Sequence, residues 1–400
     1  MRRRGNEIRN PLTGRRKKSR SPVTIVFYLA IIAVIAFIIW LNILTPNASI
    51  DVNPALISPA DIKKSSVNNR NDINKKQVDK TNNDKNKMIK SKRFGTLPSA
   101  TTLLTKSSPI KESELIRLSD SMITSPNTVV TAYHRVPSKF KPGKYDDWMK
   151  NMLSLQDAMV IFTETAMVDQ VKGLRRHALN RTIIVPLELN DLPYGTLYQK
   201  SFWLDQLNRD PEKRIHRSYE LFWIWLSKSW CVSEAIKLNI FHSDLFVWSD
   251  IGCFREKRYN GKTMIQHREQ VPPHEMIQMA HHKPNPPNQE LFNDKYKLKP
   301  QFYHSGSQFA GYKDTWVKFH ANFLETIDRF LEHDMIIVED QAVLQSTCLT
   351  YPDLCAYVPF TEVNDNHYFG LRYVLHNGGT FKLWRHTAAI EEKAERKNKV

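Results

Sequence analysis

The chain has 400 residues, 41% of them apolar and 25% charged, with a formal net charge of +17. This is the composition of a globular protein and leaves room for one large domain or two ordinary ones. The charge is uneven: residues 1–22 carry +8 and residues 45–126 carry +6, leaving +3 for 127–400, which argues against a nucleic-acid-binding fold.

Residues 1–22 read as a basic cytoplasmic tail that ends in "RRKKSR". The stretch "VTIVFYLAIIAVIAFIIWLNIL" (23–44) has no charged residue. As a helix it would extend roughly 33 Å, enough for a hydrocarbon core of about 30 Å. It is longer than the apolar part of a cleaved signal peptide. With the basic cluster held inside, it is expected to be a type II transmembrane signal anchor. Residues 45–126 are rich in Asn, Lys, Ser and Asp, and "SSVNNRNDINKKQVDKTNNDKNK" offers too little apolar surface to fold. They are expected to form a disordered stem. Four cysteines, Cys231, Cys253, Cys348 and Cys355, are too few and scattered for a zinc site or a disulfide framework. Some pairing suits an oxidising lumen, and the spacing leaves the pairs open.

Regular patterning starts near Thr128. "TVVTAYHRV" (128–136), "DAMVIFTET" (157–165) and "RTIIVPLEL" (181–189) are β-rich runs, with a helical stretch around 145–156. Residues 214–240 are mostly helical, a strand follows at 244–250, and 315–334 carries apolar residues at helical spacing. The alternation predicts an α/β layer with a largely parallel sheet in one domain over 127–390, ahead of a charged tail at 391–400. No Gly-rich phosphate loop or dinucleotide fingerprint is present. "HEMIQ" (274–278) lacks the second His of a zinc protease helix, and "AHHKPNPPNQ" (280–289) reads as a solvated loop.

"SDLFVWSDIGCFR" (243–255) ends an apolar strand on Asp250. A buried carboxylate is costly unless paired or bound to a cation. Arg255 or a helix amide pairs with it, or Asp250 meets a cation or substrate beyond the strand end, where α/β sheets bind ligands.

The longer block "SKSWCVSEAIKLNIFHSDLFVWSDIGCFR" (227–255), with "SGSQFAGYKD" (305–314) and "VEDQAVLQ" (338–345), resembles the HtrL/YibB (WlaTC-type) family. The resemblance spans roughly 128–360. That family is placed among GT-A-type glycosyltransferases, with a Rossmann-like fold that binds a nucleotide sugar and usually a divalent metal. The resemblance implies that Asp250 is a ligand for the metal or donor sugar. Gly252 stands where an Asp-x-Asp motif would place a second acid. "HNGGTFKLW" (376–384) is similar to the C-terminal block of retaining family 8 glycosyltransferases, which makes His376 a second metal ligand and Lys382 a donor-phosphate contact. Leu383 stands where that family has Pro. An imidazole suits Mn²⁺, with Mg²⁺ the other choice, and Gly378 and Gly379 would admit a phosphate to the backbone.

Lys228 is the family's Ser-Lys lysine and a candidate donor contact; otherwise it is a solvated lysine on an amphipathic helix. Asp340 and Gln341 are candidates for orienting the transferred sugar or its acceptor; otherwise they are a helix cap and an exposed Gln. Tyr133, His134 and Arg135 follow the first strand and could hold the base and ribose. The expected protein is a Golgi or other secretory-membrane glycosyltransferase with a lumenal catalytic domain. It would move a sugar from a nucleotide-sugar donor to a glycan, glycoprotein or lipid acceptor. The alternative is a non-catalytic sugar-binding or scaffold protein on the same fold.

Overall fold

A computed structural model describes residues 97–105, 109–141, 143–281 and 304–385. All lie in one compact unit, Asp72–Val400. The tail, the 23–44 span, the stem as far as residue 96, most of the "AHHKPNPPNQ" loop and the 391–400 tail lie outside the described residues. No helix among the described residues is long and apolar enough to cross a membrane.

In chain order the elements are α1 (Ala100–Leu104), β1 (Ile116–Arg117), β2 (Asn127–Tyr133), α2 (Lys144–Leu153), β3 (Met159–Thr163), α3 (Val168–Arg175) and β4 (Thr182–Pro186). Four helices follow, α4 (Pro193–Leu197), α5 (Lys200–Arg209), α6 (Lys213–His216) and α7 (Glu220–Leu226). Next come α8 (Lys228–Leu238), β5 (Leu245–Ser249), β6 (Met276–Ala280), β7 (His304–Tyr312) and α9 (Lys313–Glu332). The last are α10 (Asp340–Thr350), β8 (Cys355–Pro359) and α11 (Leu371–Asn377).

The strands form one eight-stranded sheet in the order β1-β4-β3-β2-β5-β7-β6-β8. Strands β4, β3, β2 and β5 run parallel. Strand β7 is antiparallel to both β5 and β6, and β1 is antiparallel to β4. The sheet is therefore mixed, not largely parallel. The difference lies in "SGSQFAGYKD", most of which falls in the long strand β7, antiparallel to its neighbours.

Both faces of the sheet are covered, so its strands read as continuous apolar runs. Val130, Ala132, Phe246 and Trp248 pack into one core, with the α9 stripe of Trp316, Phe319, Phe323 and Ile327. Their neighbours Val129, Leu245 and Val247 point to the other face and meet Met149 and Met152 of α2 and Val374 of α11. Cys348 and Cys355 form a disulfide, while Cys231 and Cys253 are free and buried.

The stem expectation fails over residues 97–105 and 109–126. The Ser99 hydroxyl and the Ala100 and Thr101 amides donate to the Asp328 carboxylate. The Ile110 amide donates to Glu234, and β1 extends the sheet beside β4. Local composition hid this because the segment's few apolar residues are spent on contacts far along the chain. Starting the chain at Asn127 is therefore expected to cost about 2 kcal/mol or more, roughly 4 °C or more in melting temperature. An unchanged melting temperature by calorimetry would show that these contacts contribute nothing.

Candidate functional site

The chain leaves β2 in one direction to build β3 and β4, then returns to place β5 on the other side of β2. A crevice opens at such a reversal, beyond the carboxyl ends of the strands. A pocket lies there. Tyr133 and His134 come from the end of β2, and Trp248, Asp250 and Ile251 from the end of β5. Phe140, Tyr145, Trp225 and Phe369 add aromatic walls.

Asp250 follows the last residue of β5. Its amide donates to the Ser307 carbonyl, and its own carbonyl accepts from Cys253 to start a short 3₁₀ turn. Its carboxylate is one-third exposed. One oxygen accepts from the Trp248 indole at 2.8 Å. Its charge partner is Lys228, with an ammonium 2.9 Å from Oδ1. Arg255 is not its partner. That guanidinium lies 4.3 Å from the centre of the Trp148 ring and 4.7 Å from that of Phe369, and it donates to the Gly252 carbonyl.

Lys228 is neither solvated nor in the pocket wall. It is the first residue of α8, set by a break at Ser227 that also ends α7. Its side chain is only 5% exposed, and it sits between two acids, with Asp340 Oδ2 at 2.6 Å. It also donates to the Gly306 carbonyl at 2.8 Å. Burial opposes its charge, but Asp250 and Asp340 outweigh burial and push its pKa up. Burial pushes the Asp340 carboxyl up against the pull of Lys228.

Gly306 permits this approach, since a Cβ there would lie 2.9 Å from both the Asp340 carboxylate and Gln341 Cγ. Asp340 is not the helix cap; Glu339 is. Gln341 donates to the His304 carbonyl at 2.7 Å, and the His304 ring lies 3.1 Å from the Gln341 carbonyl. The structure thus brings Lys228, Asp250, Asp340 and Gln341 together from three elements, α8, the end of β5 and the start of α10.

The other candidates stand differently. Tyr133 lines the pocket and stacks near Tyr145. His134 lines it too, with Nε2 bound to the Leu187 carbonyl and a pKa lowered by burial. Arg135 is exposed beside Tyr133. His376 has neighbours of its own: Nδ1 donates to the Thr263 carbonyl at 2.7 Å, and the ring packs edge-on to Tyr259. Lys382 is exposed. Gly378, at φ +63°, makes room for His267 and not for a phosphate, since its Cβ would meet that ring at 2.6 Å. The chain beyond it pairs Trp384 with Tyr357 at the sheet edge.

A divalent metal held by Asp250 and His376 does not fit this arrangement. The Asp250 charge is already met by Lys228, and among the described residues no trio of metal-ligating side chains includes either residue. A side chain at position 252 would be crowded as well, because a Cβ there meets Trp148 and Tyr145 at 3.3 Å. The loop is pinned by a buried pair in which Arg372 clamps Asp365 at 2.8 and 2.9 Å and also donates to the Cys253 carbonyl.

Residues 130–359 match the model of a family described as "Bacterial protein of unknown function (HtrL_YibB)". No curated protein matches the chain. A crystal structure of mouse xyloside xylosyltransferase 1, in its apo form, resembles it at 7% identity and a TM-score of 0.33. That match covers 57% of this chain and 84% of the mouse chain. At this level the likeness is too slight to bear on activity.

Proposed function

The chain belongs to the HtrL/YibB family, and from that premise we propose that it is a glycosyltransferase using a nucleotide-sugar donor. The acceptor is a glycan, glycoprotein or lipid, and the enzyme is held by the 23–44 span in a Golgi or similar secretory membrane with its domain lumenal. The observation that carries the reading is the pocket at the β2/β5 crevice, with an ammonium-braced carboxylate at its floor.

Aromatic faces at Tyr133 and Tyr145 suit a nucleotide base, and the Arg255 guanidinium at the rim suits a phosphate. Glycosyl transfer builds positive charge on the sugar ring as the leaving group departs. A fixed carboxylate there accepts sugar hydroxyls and stabilises that charge. Lys228 orients the Asp250 carboxylate, and Asp340 holds Lys228 from behind. Preorganised groups of this kind lose no energy to reorganisation when the charge develops. No step is assigned to a metal at Asp250.

The competing reading is a non-catalytic sugar-binding protein, favoured by glycine at position 252. Both readings require the pocket to bind nucleotide or sugar, so binding comes first. Trp225 and Trp248 line the pocket, and the fluorescence of the full-length protein is expected to change saturably with at least one nucleoside diphosphate. Tyr145→Ala should weaken that binding about tenfold or more, the worth of one stacked base. If no nucleoside diphosphate gives a saturable change, the donor pocket is wrong.

A further inference from the structure

A second cluster borders the same pocket. His216, at the end of α6, lines the pocket with Asp250, and its side chain is only 7% exposed. Its Nδ1 lies 2.6 Å from the Asp210 carboxylate, which can only accept, so Nδ1 carries the proton. The other Asp210 oxygen accepts the Glu212 amide at 2.8 Å and fixes the turn. Nε2 carries a lone pair in the neutral ring and a proton in the charged one, which the surrounding carboxylates favour. Facing it are Glu212 Oε2 at 3.5 Å and Glu339 Oε1 at 3.6 Å.

These separations are too long for good hydrogen bonds. A ring nitrogen and two carboxylate oxygens this close call for positive charge between them, which a proton on Nε2 or a bound cation supplies. Metal bonds of about 2.1 Å in tetrahedral geometry put neighbouring ligand atoms about 3.4 Å apart, close to the two separations from His216 Nε2. The ligand atoms of Glu212, His216 and Glu339 all lie within 4.8 Å of one another. A carboxylate behind the far imidazole nitrogen is the usual support of a metal-binding His.

We propose that Glu212, His216 and Glu339 bind one divalent transition-metal ion, with Asp210 positioning the imidazole. One nitrogen and two oxygens suit Zn²⁺ or Mn²⁺ and leave a coordination position open. The ion would stand in the pocket wall, one residue before Asp340. Nothing in the cluster depends on the transfer reaction.

The test uses full-length protein stripped by a chelator. Zn²⁺ is titrated against a chromophoric competitor, and Mn²⁺ is followed by the spin resonance of the free ion. One equivalent should bind with at least one of the two ions. Glu339→Gln and Glu212→Gln should each weaken it tenfold or more, and Asp210→Asn by about 10–100-fold. Asp250→Asn should leave it unchanged. Glu212 is 57% exposed, so its variant should keep the fold even if a His216→Ala protein does not. No stoichiometric uptake of either ion, or uptake undiminished in both Glu variants, would overturn the site.

Discussion

Replacing Asp250 by Asn is expected to lower donor turnover about a thousandfold or more in protein that remains folded. The amide keeps the shape and can still meet the Trp248 indole through its oxygen, but the negative charge is gone. The expected loss is about 4 kcal/mol of transition-state stabilisation, at about 1.36 kcal/mol per factor of ten. The loss should fall on kcat more than on KM, because the charge the carboxylate answers exists only in the transition state. A role limited to bracing Lys228 would instead lower the melting temperature and leave kcat intact in the folded fraction.

Lys228→Met should act first on stability. The ammonium holds two carboxylates, and Asp340 is almost wholly buried. Removing one partner of a buried pair leaves an uncompensated charge, at a cost of about 3–5 kcal/mol. Out of a total domain stability of about 5–15 kcal/mol, that is a large share. Adding Asp340→Asn should recover part of it, since the acid left unpaired is then neutral. The folded pKa of Lys228 lies above the ordinary value of 10.5. The pair's contribution is therefore complete at pH 7 and is lost only as pH rises beyond that value. A Lys228→Met protein with the denaturation midpoint of the parent would mean that the ion pair contributes nothing.

Several features were legible from the residues, and the reasons are physical. The strands at 127–133, 159–163, 182–186 and 245–249 stand out because burial on both faces leaves uninterrupted Val, Ile and Phe runs. Asp250 stands out because a charge ends such a run. Its partner was not legible. Lys228 is 22 residues upstream, and only the Ser227 break and the Gly306 gap bring it to the acid. Arg255, closer in sequence, is drawn off by Trp148 and Phe369. The motif at 376–384 misled because Gly378 answers a local packing need, the ring of His267. Glu212 and His216 carry a helical i, i+4 spacing that was open to reading. Asp210 and Glu339 complete the cluster only through the fold. The order in 97–105 and 109–126 was hidden for a similar reason, since Asp328 and β4 lie far along the chain.

The most direct measurement of the central claim is release of the nucleotide leaving group from a panel of nucleotide sugars, by full-length protein and by its Asp250→Asn variant, each shown to be folded by its melting curve. Turnover with at least one donor is expected, with a loss of about a thousandfold in the variant. No turnover of any donor by the folded protein, or release of the nucleotide by folded Asp250→Asn at the rate of the parent, would rule out a catalytic Asp250.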